Sequence, residues 1–145
     1  MEPNAHRSVD SGDGGFDLTV GGSVDTQPDV EMIEWRSVCP ISSGLDLLGD
    51  KWSLVIIRDL ITHETRTYSE LLSSPEHIST NILAARLRVL TTFGIIERVD
   101  PDGVARNNAF RLTRSGAALR PVLEQLATWS QTHLKRYHEA IVNVV

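Results

Sequence analysis

The sequence predicts a small, mainly helical α+β domain in which five helical segments accompany one β-hairpin. Apolar residues recur at three- and four-residue spacing over most of the chain beyond residue 34, which is the period of amphipathic helices. That period changes to alternation on either side of Asp100-Pro101-Asp102-Gly103, a strong turn sequence. The 145 residues suffice for one domain with a core and are too few for two ordinary domains.

Charge and composition divide the chain near residue 34. Residues 1–34 hold eight acidic residues and one basic residue among many Gly and Ser, so we predict an acidic, disordered tail there. The predicted domain covers residues 35–137, and residues 138–145 form a C-terminal tail. The chain has a net charge of −5, yet residues 35–145 have a net charge of +2. Twelve of the 14 basic residues are arginine, whose flat guanidinium suits bidentate contacts to phosphate and guanine.

Several function classes are excluded because the residues they need are missing. No apolar run reaches the roughly 18–20 residues that cross a bilayer, and the first residues lack the apolar stretch of a secretory signal. We therefore expect a cytoplasmic protein with no membrane partner. The single cysteine, Cys39, excludes an intramolecular disulfide and a multi-cysteine zinc site. The five histidines have no metal-ligand spacing, and no phosphate loop or nucleophile motif occurs, so we expect no metal, no cofactor and no enzymatic activity.

Local signals place the first two helices. Pro40 suits the first position of a helix because its missing N–H would be unpaired there. Gly49 ends this helix, and Asp50 caps the next one, which is predicted over residues 51–62. The second helix is apolar nearly all round, so we expect it at the centre of the core, with Trp52 as a core anchor.

The next segment predicts a pair of helices. A short helix over residues 68–73 follows a short strand or lead-in at Arg66-Thr67 and is ended by a Ser-Ser-Pro sequence. Ser79 is the predicted N-cap of a fourth helix over residues 80–92. Gly94 then follows the end of this helix, at a position where a residue in the left-handed backbone conformation, usually glycine, terminates a helix.

A hairpin and a last helix complete the predicted domain. The hairpin spans residues 95–112, and Thr113 can cap the helix that follows. Pro121 falls inside the helical pattern, so the helix should start or kink nearby. The apolar stripe of this helix consists of Leu119, Val122, Leu123, Leu126, Trp129, His133 and Tyr137.

The order of these elements has a functional implication. Two helices joined by a tight turn form a helix-turn-helix, and a hairpin directly after them has the position of a wing. With about 100° of rotation per residue, the leucines of the fourth helix face the core, and the opposite face carries Asn81, Ala84 and Arg88 and no acidic residue. Asn can pair with adenine and Arg with guanine, while a small residue lets the backbone approach the major groove. A solvated face that binds nothing is the alternative interpretation.

The predicted DNA contacts extend to both sides of that face. The amides and hydroxyl groups of Ser79 and Thr80, at the helix N-terminus, suit phosphate. Arg86 lies on the flank of the core stripe and is the weaker candidate, because it can instead pair with an acidic residue of the protein itself. The predicted contacts on this helix are therefore Ser79, Thr80, Asn81, Ala84, Arg86 and Arg88.

A family resemblance covers residues 39–129. It rests on Cys39-Pro40, Leu45–Trp52, Ile57–Leu60, Tyr68–Leu71, Ile78-Ser79, Leu83, Arg86–Leu90, Gly94–Arg98, Phe110–Thr113, Gly116, Pro121–Leu123 and Trp129. With these segments the chain resembles the HxlR-type branch of winged helix-turn-helix transcriptional regulators, relatives of the MarR group. The resemblance implies a dimeric DNA-binding regulator without enzymatic activity, and it implies a wing contact at Arg106. The wing departs from the family pattern, because its tip is Asp-Gly instead of Pro-rich.

The last helix suggests how two copies assemble. A long apolar stripe at the end of a small domain has little left in its own core to cover, so we predict that Leu119, Leu123, Leu126 and Trp129 bury against a second subunit. Residues near Trp35 and Ile41 should join them. A two-fold dimer matches a palindromic operator with two half-sites.

Cys39 is the candidate for a regulatory site. At the N-cap of the first helix, free amides and the helix dipole favour a thiolate. The resemblance implies sensing of oxidants or electrophiles by the cysteine of the Cys-Pro pair, and the alternative is an inert, packed cysteine. The sequence thus predicts a DNA-binding regulator, with a small-molecule or oxidant effector as a further partner. The rival hypothesis is a winged-helix protein–protein interaction module without DNA binding, which the acidic overall charge supports.

Overall fold

Helices and short strands alternate along the chain in a computed structural model that describes residues 33–104 and 108–142. The elements are α1 (Pro40–Leu48), α2 (Ser53–His63), β1 (Thr65–Thr67), α3 (Tyr68–Leu72), α4 (Thr80–Thr92), β2 (Ile96–Arg98), β3 (Ala109–Leu112), α5 (Arg114–Ala117) and α6 (Arg120–His133). The predicted tail over residues 1–34 lies outside the described residues except for its last two, and Arg106 lies outside them as well. The predicted mainly helical fold with a hairpin is confirmed.

Pro40 and the Asp50 carboxylate mark where the first two helices begin. Cys39 is the N-cap of α1 with Pro40 in the first turn, and the Gly49 N–H donates to the carbonyl of Leu45 at 2.8 Å to close the helix. The Asp50 carboxylate accepts hydrogen bonds from the amides of Trp52 and Ser53 at 2.9 and 3.0 Å. Asp50 therefore binds amides at the start of α2, but the N-cap is Trp52 and not Asp50 as predicted, and α2 begins two residues later than predicted because a turn takes up residues 51–52.

The helix pair α3 and α4 is bounded by local hydrogen bonds. Thr67 and Glu70 form a capping box at α3, in which Thr67 N–H donates to the Glu70 carboxylate at 2.7 Å. Ser79 caps α4 by accepting from the Ile82 amide at 3.3 Å. Gly94 follows α4 with φ +68°, the left-handed conformation that the sequence predicted. Both ends of α4 thus agree with the prediction.

A charged network holds the turn between α3 and α4 against α2. Arg58 on α2 donates to the Asp59 carboxylate at 2.8 Å and to the Glu76 carboxylate at 3.0 Å, and Ser74 donates to Asp59. The hydrogen bond from Arg58 holds the pKa of Glu76 below its ordinary value, although burial partly opposes the shift. The network fixes the turn, and so it fixes the direction in which α4 leaves it.

A three-stranded antiparallel sheet lies against the helices in the order β1-β3-β2. The strand suggested at Arg66-Thr67 is β1, and it pairs with β3 so that Arg66 lies opposite Phe110. On the other side of β3, Phe110 lies opposite Arg98. The predicted hairpin is confirmed with strands shorter than residues 95–112, and β1 makes it part of a larger sheet.

The core lies where α2, α4, α6 and the sheet meet. Its buried apolar residues are Ile56, Ile57, Leu60, Leu71, Ile78, Leu83, Leu87, Leu90, Ile95, Ile96, Phe110 and Leu123. The central place predicted for α2 is confirmed, since Ile57 and Leu60 are 0% and 1% exposed. Trp52 is partly buried and packs against this core, as predicted for an anchor.

The predicted last helix is divided into two. Thr113 caps only the short α5, where its hydroxyl accepts from the Gly116 amide at 3.2 Å. A turn at residues 118–119 follows, and α6 begins with Pro121 in its first turn, as the proline predicted. Because α6 ends at His133, Tyr137 is not on the helix, which corrects the prediction that it extends the stripe.

Candidate nucleic-acid interface

The outer face of α4 is open and carries the predicted base contacts. Leu83, Leu87 and Leu90 are 0%, 5% and 0% exposed and fix the inner face of the helix. The side chains of Thr80, Asn81 and Arg88 are exposed on the other side, and Ala84 is half-buried beside them. None of the 13 residues of α4 is acidic, so this face is neutral to positive.

The N-terminus of α4 is fixed against α3. The Tyr68 hydroxyl, on α3, donates to the carbonyl of Thr80 at 2.8 Å. The Ser79 oxygen accepts from the Ile82 amide at 3.3 Å, which leaves the Ser79 hydroxyl proton for another acceptor. Ser79 and Thr80, the two predicted phosphate contacts, are exposed, as such a contact requires.

Arg86 is engaged inside the protein. Its guanidinium lies 3.3 Å from the Asp50 carboxylate in the loop between α1 and α2, which is the intramolecular alternative considered for this residue. Burial pushes the pKa of Asp50 up, but hydrogen bonds from Ser53 and Trp52 and the charge of Arg86 outweigh it and hold the pKa below its usual value. The Asp50 carboxylate therefore stays ionised and links α4 to the start of α2.

An open groove of about 480 Å³ separates α4 from the sheet. Its lining residues are Tyr68, Ala84, Leu87, Arg88, Thr91, Thr92, Arg98 and Phe110. Arg98 was not among the residues predicted from the sequence, because β2 is too short for its faces to be assigned by alternation alone. Its position opposite Phe110 in the strand register turns it to the groove side of the sheet.

The base of the hairpin is closed by Asn108, which is only 6% exposed. Its side-chain oxygen accepts from the Asp100 amide at 3.1 Å, and its side-chain nitrogen donates to the Asp100 carbonyl. Val104 on the tip side of this contact is 77% exposed. The described residues on either side of the tip therefore have a fixed base, and the predicted DNA contact Arg106 lies outside the described residues.

Cys39 and the segment around it lie at the surface. Cys39 is exposed, and its amide donates to the Ser37 hydroxyl at 3.2 Å. On the N-terminal side, Trp35 packs edge-to-face on Phe93, the C-cap of α4, with ring centroids 6.2 Å apart. The segment that contains Cys39 thus contacts α4 through Trp35 before α1 and through Asp50 after it.

The apolar stripe of α6 divides into a buried and an exposed part. Leu123 is 6% exposed and belongs to the subunit's own core, against which Leu119 also packs. Leu126 and Trp129 are 48% and 54% exposed, as is Val122 at 50%. Of the four residues predicted for the dimer surface, Leu126 and Trp129 are therefore available to a second subunit. Leu119 and Leu123 already pack within their own subunit.

Two further findings concern membrane-spanning helices and metal sites in the described part of the chain. Over residues 33–104 and 108–142, no helix combines the length and the hydropathy that a membrane span requires. The same residues contain no cluster of three or more His, Cys, Asp or Glu side chains arranged to hold a metal ion.

A short helix, a connection over residues 73–79, a second helix with an open face and a hairpin wing together define the class of winged helix-turn-helix proteins. The chain belongs to the HxlR-like helix-turn-helix family, whose model matches residues 47–138. The family consists of transcriptional regulators, so the expectation that the protein is a regulator and not an enzyme is confirmed.

Three relatives illustrate the match. An HTH-type transcriptional regulator of Synechocystis is 38% identical over 90 residues, which is 62% of this chain and 66% of the relative, just under two thirds of its length. The structure of reduced YodB, a transcriptional regulator from Bacillus subtilis, is 28% identical with a TM-score of 0.56 and covers 67% of this chain and 95% of YodB. A MarR-family regulator structure from Porphyromonas gingivalis is 25% identical with a TM-score of 0.59, covering 67% and 94% of the two chains.

Proposed function

We propose that the protein is a sequence-specific transcriptional regulator that binds duplex DNA as a homodimer, with α4 in the major groove and the β2–β3 hairpin as the wing. The observation that carries this proposal is the open face of α4, which presents Asn81 and Arg88 around the small Ala84 and has no acidic residue. Asn and Arg are the side chains that pair with adenine and guanine. Membership in a family of helix-turn-helix regulators supports the same function.

The assembly proposed for DNA binding is a two-fold dimer. Helix α1 has no buried residue, although Ile41 and Leu45 are apolar and 73% and 55% exposed. Together with Leu126 and Trp129 on α6, they offer apolar surface that a second copy can cover. A two-fold dimer places two copies of α4 on an imperfect palindrome with half-sites about 10 bp, or a multiple of that, apart.

The test of DNA binding is a salt titration on duplexes selected from a random library. A regulator of this kind should enrich a palindromic site, and the logarithm of its binding constant should fall linearly and steeply with the logarithm of salt concentration. If the full chain retards no duplex at any salt concentration, the protein is an interaction module and the proposed function is wrong.

We expect Arg88→Ala to weaken binding to the selected site by about 1–3 kcal/mol, because the open face of α4 loses its charged hydrogen-bond donor. The fold should be unchanged, since the Arg88 side chain is exposed. Fluorescence anisotropy measures the affinity and circular dichroism checks the fold. Arg136→Ala, which removes the same charge in the turn after α6, is the matched control. Equal affinities of Arg88→Ala and the parent would mean that α4 docks in another way.

Cys39 is proposed as the sensor of oxidants or electrophiles. Its thiol is exposed, and its segment contacts α4 through Trp35 and Asp50, so a group attached at Cys39 can alter how α4 is held. YodB supports this proposal, since its structure is known in reduced, quinone-bound and diamide-treated forms, the last two at 30% and 29% identity to this chain.

We expect diamide or a quinone to change operator affinity in the parent and to leave Cys39→Ser unaffected. With one cysteine per chain, diamide can remove two electrons and two protons only from thiols of two subunits, or from one Cys39 and an added small thiol. A quinone instead adds directly to the thiolate. Anisotropy titrations before and after treatment measure the change, with non-reducing electrophoresis to identify the product. Equal binding before and after treatment, or a Cys39→Ser protein that responds like the parent, would refute the sensing proposal and leave DNA binding intact.

A further inference from the structure

The groove between α4 and the sheet is open and has two arginines among its lining residues. We propose that it binds an oxyanion, and that the occupant is a backbone phosphodiester of the bound DNA strand, held by Arg98, while Arg88 contacts a base and adds positive charge from the side of α4. The proposal rests on the proposed DNA-binding function. The proposed Arg98 contact lies at the base of the wing, and it adds to the DNA contacts proposed on α4 and at the hairpin tip.

The walls of the groove favour an anion over a neutral ligand. Leu87 and Phe110, 5% and 9% exposed, form an apolar floor, and Arg88 of α4 and Arg98 of β2 line the groove on its two sides. No Asp or Glu occurs among the described residues that line it. A cleft with charges of one sign over low-dielectric walls concentrates the electrostatic field on an oppositely charged ligand.

The neutral hydrogen-bond donors of the groove are already used. The Thr91 and Thr92 hydroxyls donate to the carbonyls of Leu87 and Arg88 at 2.7 and 2.9 Å. The Tyr68 hydroxyl donates to the Thr80 carbonyl at 2.8 Å. The two guanidinium groups are therefore the side-chain donors left for a ligand, and such donors prefer phosphate or carboxylate oxygens.

Ion pairing distinguishes the two faces of the hairpin. On the face away from the groove, Arg111 of β3 pairs with Glu97 of β2 at 2.9 Å. On the groove face, Arg98 lies opposite the uncharged Phe110. Within residues 33–104 and 108–142, Arg88 and Arg98 have no carboxylate within 4.0 Å, whereas Arg36, Arg86 and Arg111 each have one and Arg58 has two. The hairpin thus neutralises one face and leaves positive charge on the other.

Arg66 lies on the other side of Phe110 and does not line the groove. The strand register puts Arg66, Phe110 and Arg98 in one row across the sheet, so the two arginines flank the ring. The Nε of Arg66 is buried and has no hydrogen-bond partner among the described residues.

The test compares the salt dependence of Arg98→Ala with that of the parent. A phosphate contact carries no sequence information, so Arg98→Ala should weaken binding to the selected site and to random duplex by the same factor. The slope of log affinity against log salt should become smaller in magnitude by about 0.9. Arg98→Lys should keep the slope, because it keeps the charge. Arg136→Ala is the charge-matched control and should change neither quantity.

Three outcomes overturn the proposal in different ways. An unchanged slope in Arg98→Ala, with normal DNA binding by the parent, rejects the groove and leaves the proposed function standing. A loss of affinity confined to the selected site shows that Arg98 reads bases instead of phosphate.

A second experiment uses the DNA-free protein. Inorganic phosphate and pyrophosphate are titrated while the side-chain N–H resonance of Arg98 is followed by NMR. Saturation by pyrophosphate at micromolar concentration would identify a site for a free phosphate compound and overturn the assignment to DNA.

Discussion

Replacing Gly116 by Ala should lower the free energy of unfolding by about 3 kcal/mol. A Cβ built on Gly116 would lie 2.1 Å from the carbonyl oxygen of Ile95 and 3.0 Å from a methyl group of Leu112. The first contact is to backbone, so a side-chain rotation cannot relieve it. The Ile95 carbonyl also accepts from the amide and the hydroxyl of Thr113, both at 3.1 Å, and these bonds must shift with it.

Urea denaturation measures this effect, and Gly44→Ala is the matched control. Gly44 lies inside α1, and a Cβ there would meet nothing within 4 Å. The same chemical change should therefore stabilise the protein by about 0.5–1 kcal/mol, because alanine restricts the unfolded chain and favours helix. If the two variants have the same urea midpoint, the close approach of α5 to Ile95 is not a constraint on this fold.

Replacing Leu126 by Glu should separate the proposed dimer into monomers. The Leu126 side chain is 48% exposed in the single subunit, and Trp129 one turn further along α6 is 54% exposed. A carboxylate in the middle of an apolar interface must be desolvated without a partner. A monomer contacts one half-site, so operator affinity should fall by about 10²–10⁴ once the linked second contact is lost.

Sedimentation velocity at micromolar concentration gives the assembly state, and anisotropy gives the operator affinity. Gln125→Glu introduces the same charge at the neighbouring exposed position of α6 and should leave the dimer intact. Trp129→Ala provides a neutral variant of the same surface. A parent protein that sediments as a stable monomer at these concentrations would end the dimer proposal, and with it the expectation of a palindromic site.

The parts of the fold that were predictable are those fixed by neighbouring residues. The bounds of α4 follow from Ser79 as a side-chain cap and from Gly94, whose left-handed conformation terminates the helix. The start of α6 follows from Pro121. The strand β1 could only be suggested, because a three-residue segment gains its stability by pairing with β3, more than 40 residues further along the chain.

The candidate interface was predictable to the same extent. Helical periodicity alone places Asn81 and Arg88 on the open face of α4, because Leu83, Leu87 and Leu90 determine which side is buried. The partner of Arg86 is Asp50, 36 residues away, and no local pattern reports such a contact. Arg98 was missed for the same reason, since its orientation depends on the register of β2 and β3.

The contact between Asn108 and the backbone of Asp100 has an evolutionary consequence. The Asn108 side chain bonds to both the backbone N–H and the backbone carbonyl of Asp100, as a paired residue of a neighbouring strand would. These two hydrogen bonds close the hairpin at its base and do not depend on the residues of the tip. Insertions, deletions and substitutions between residues 100 and 108 therefore need no compensation in the sheet.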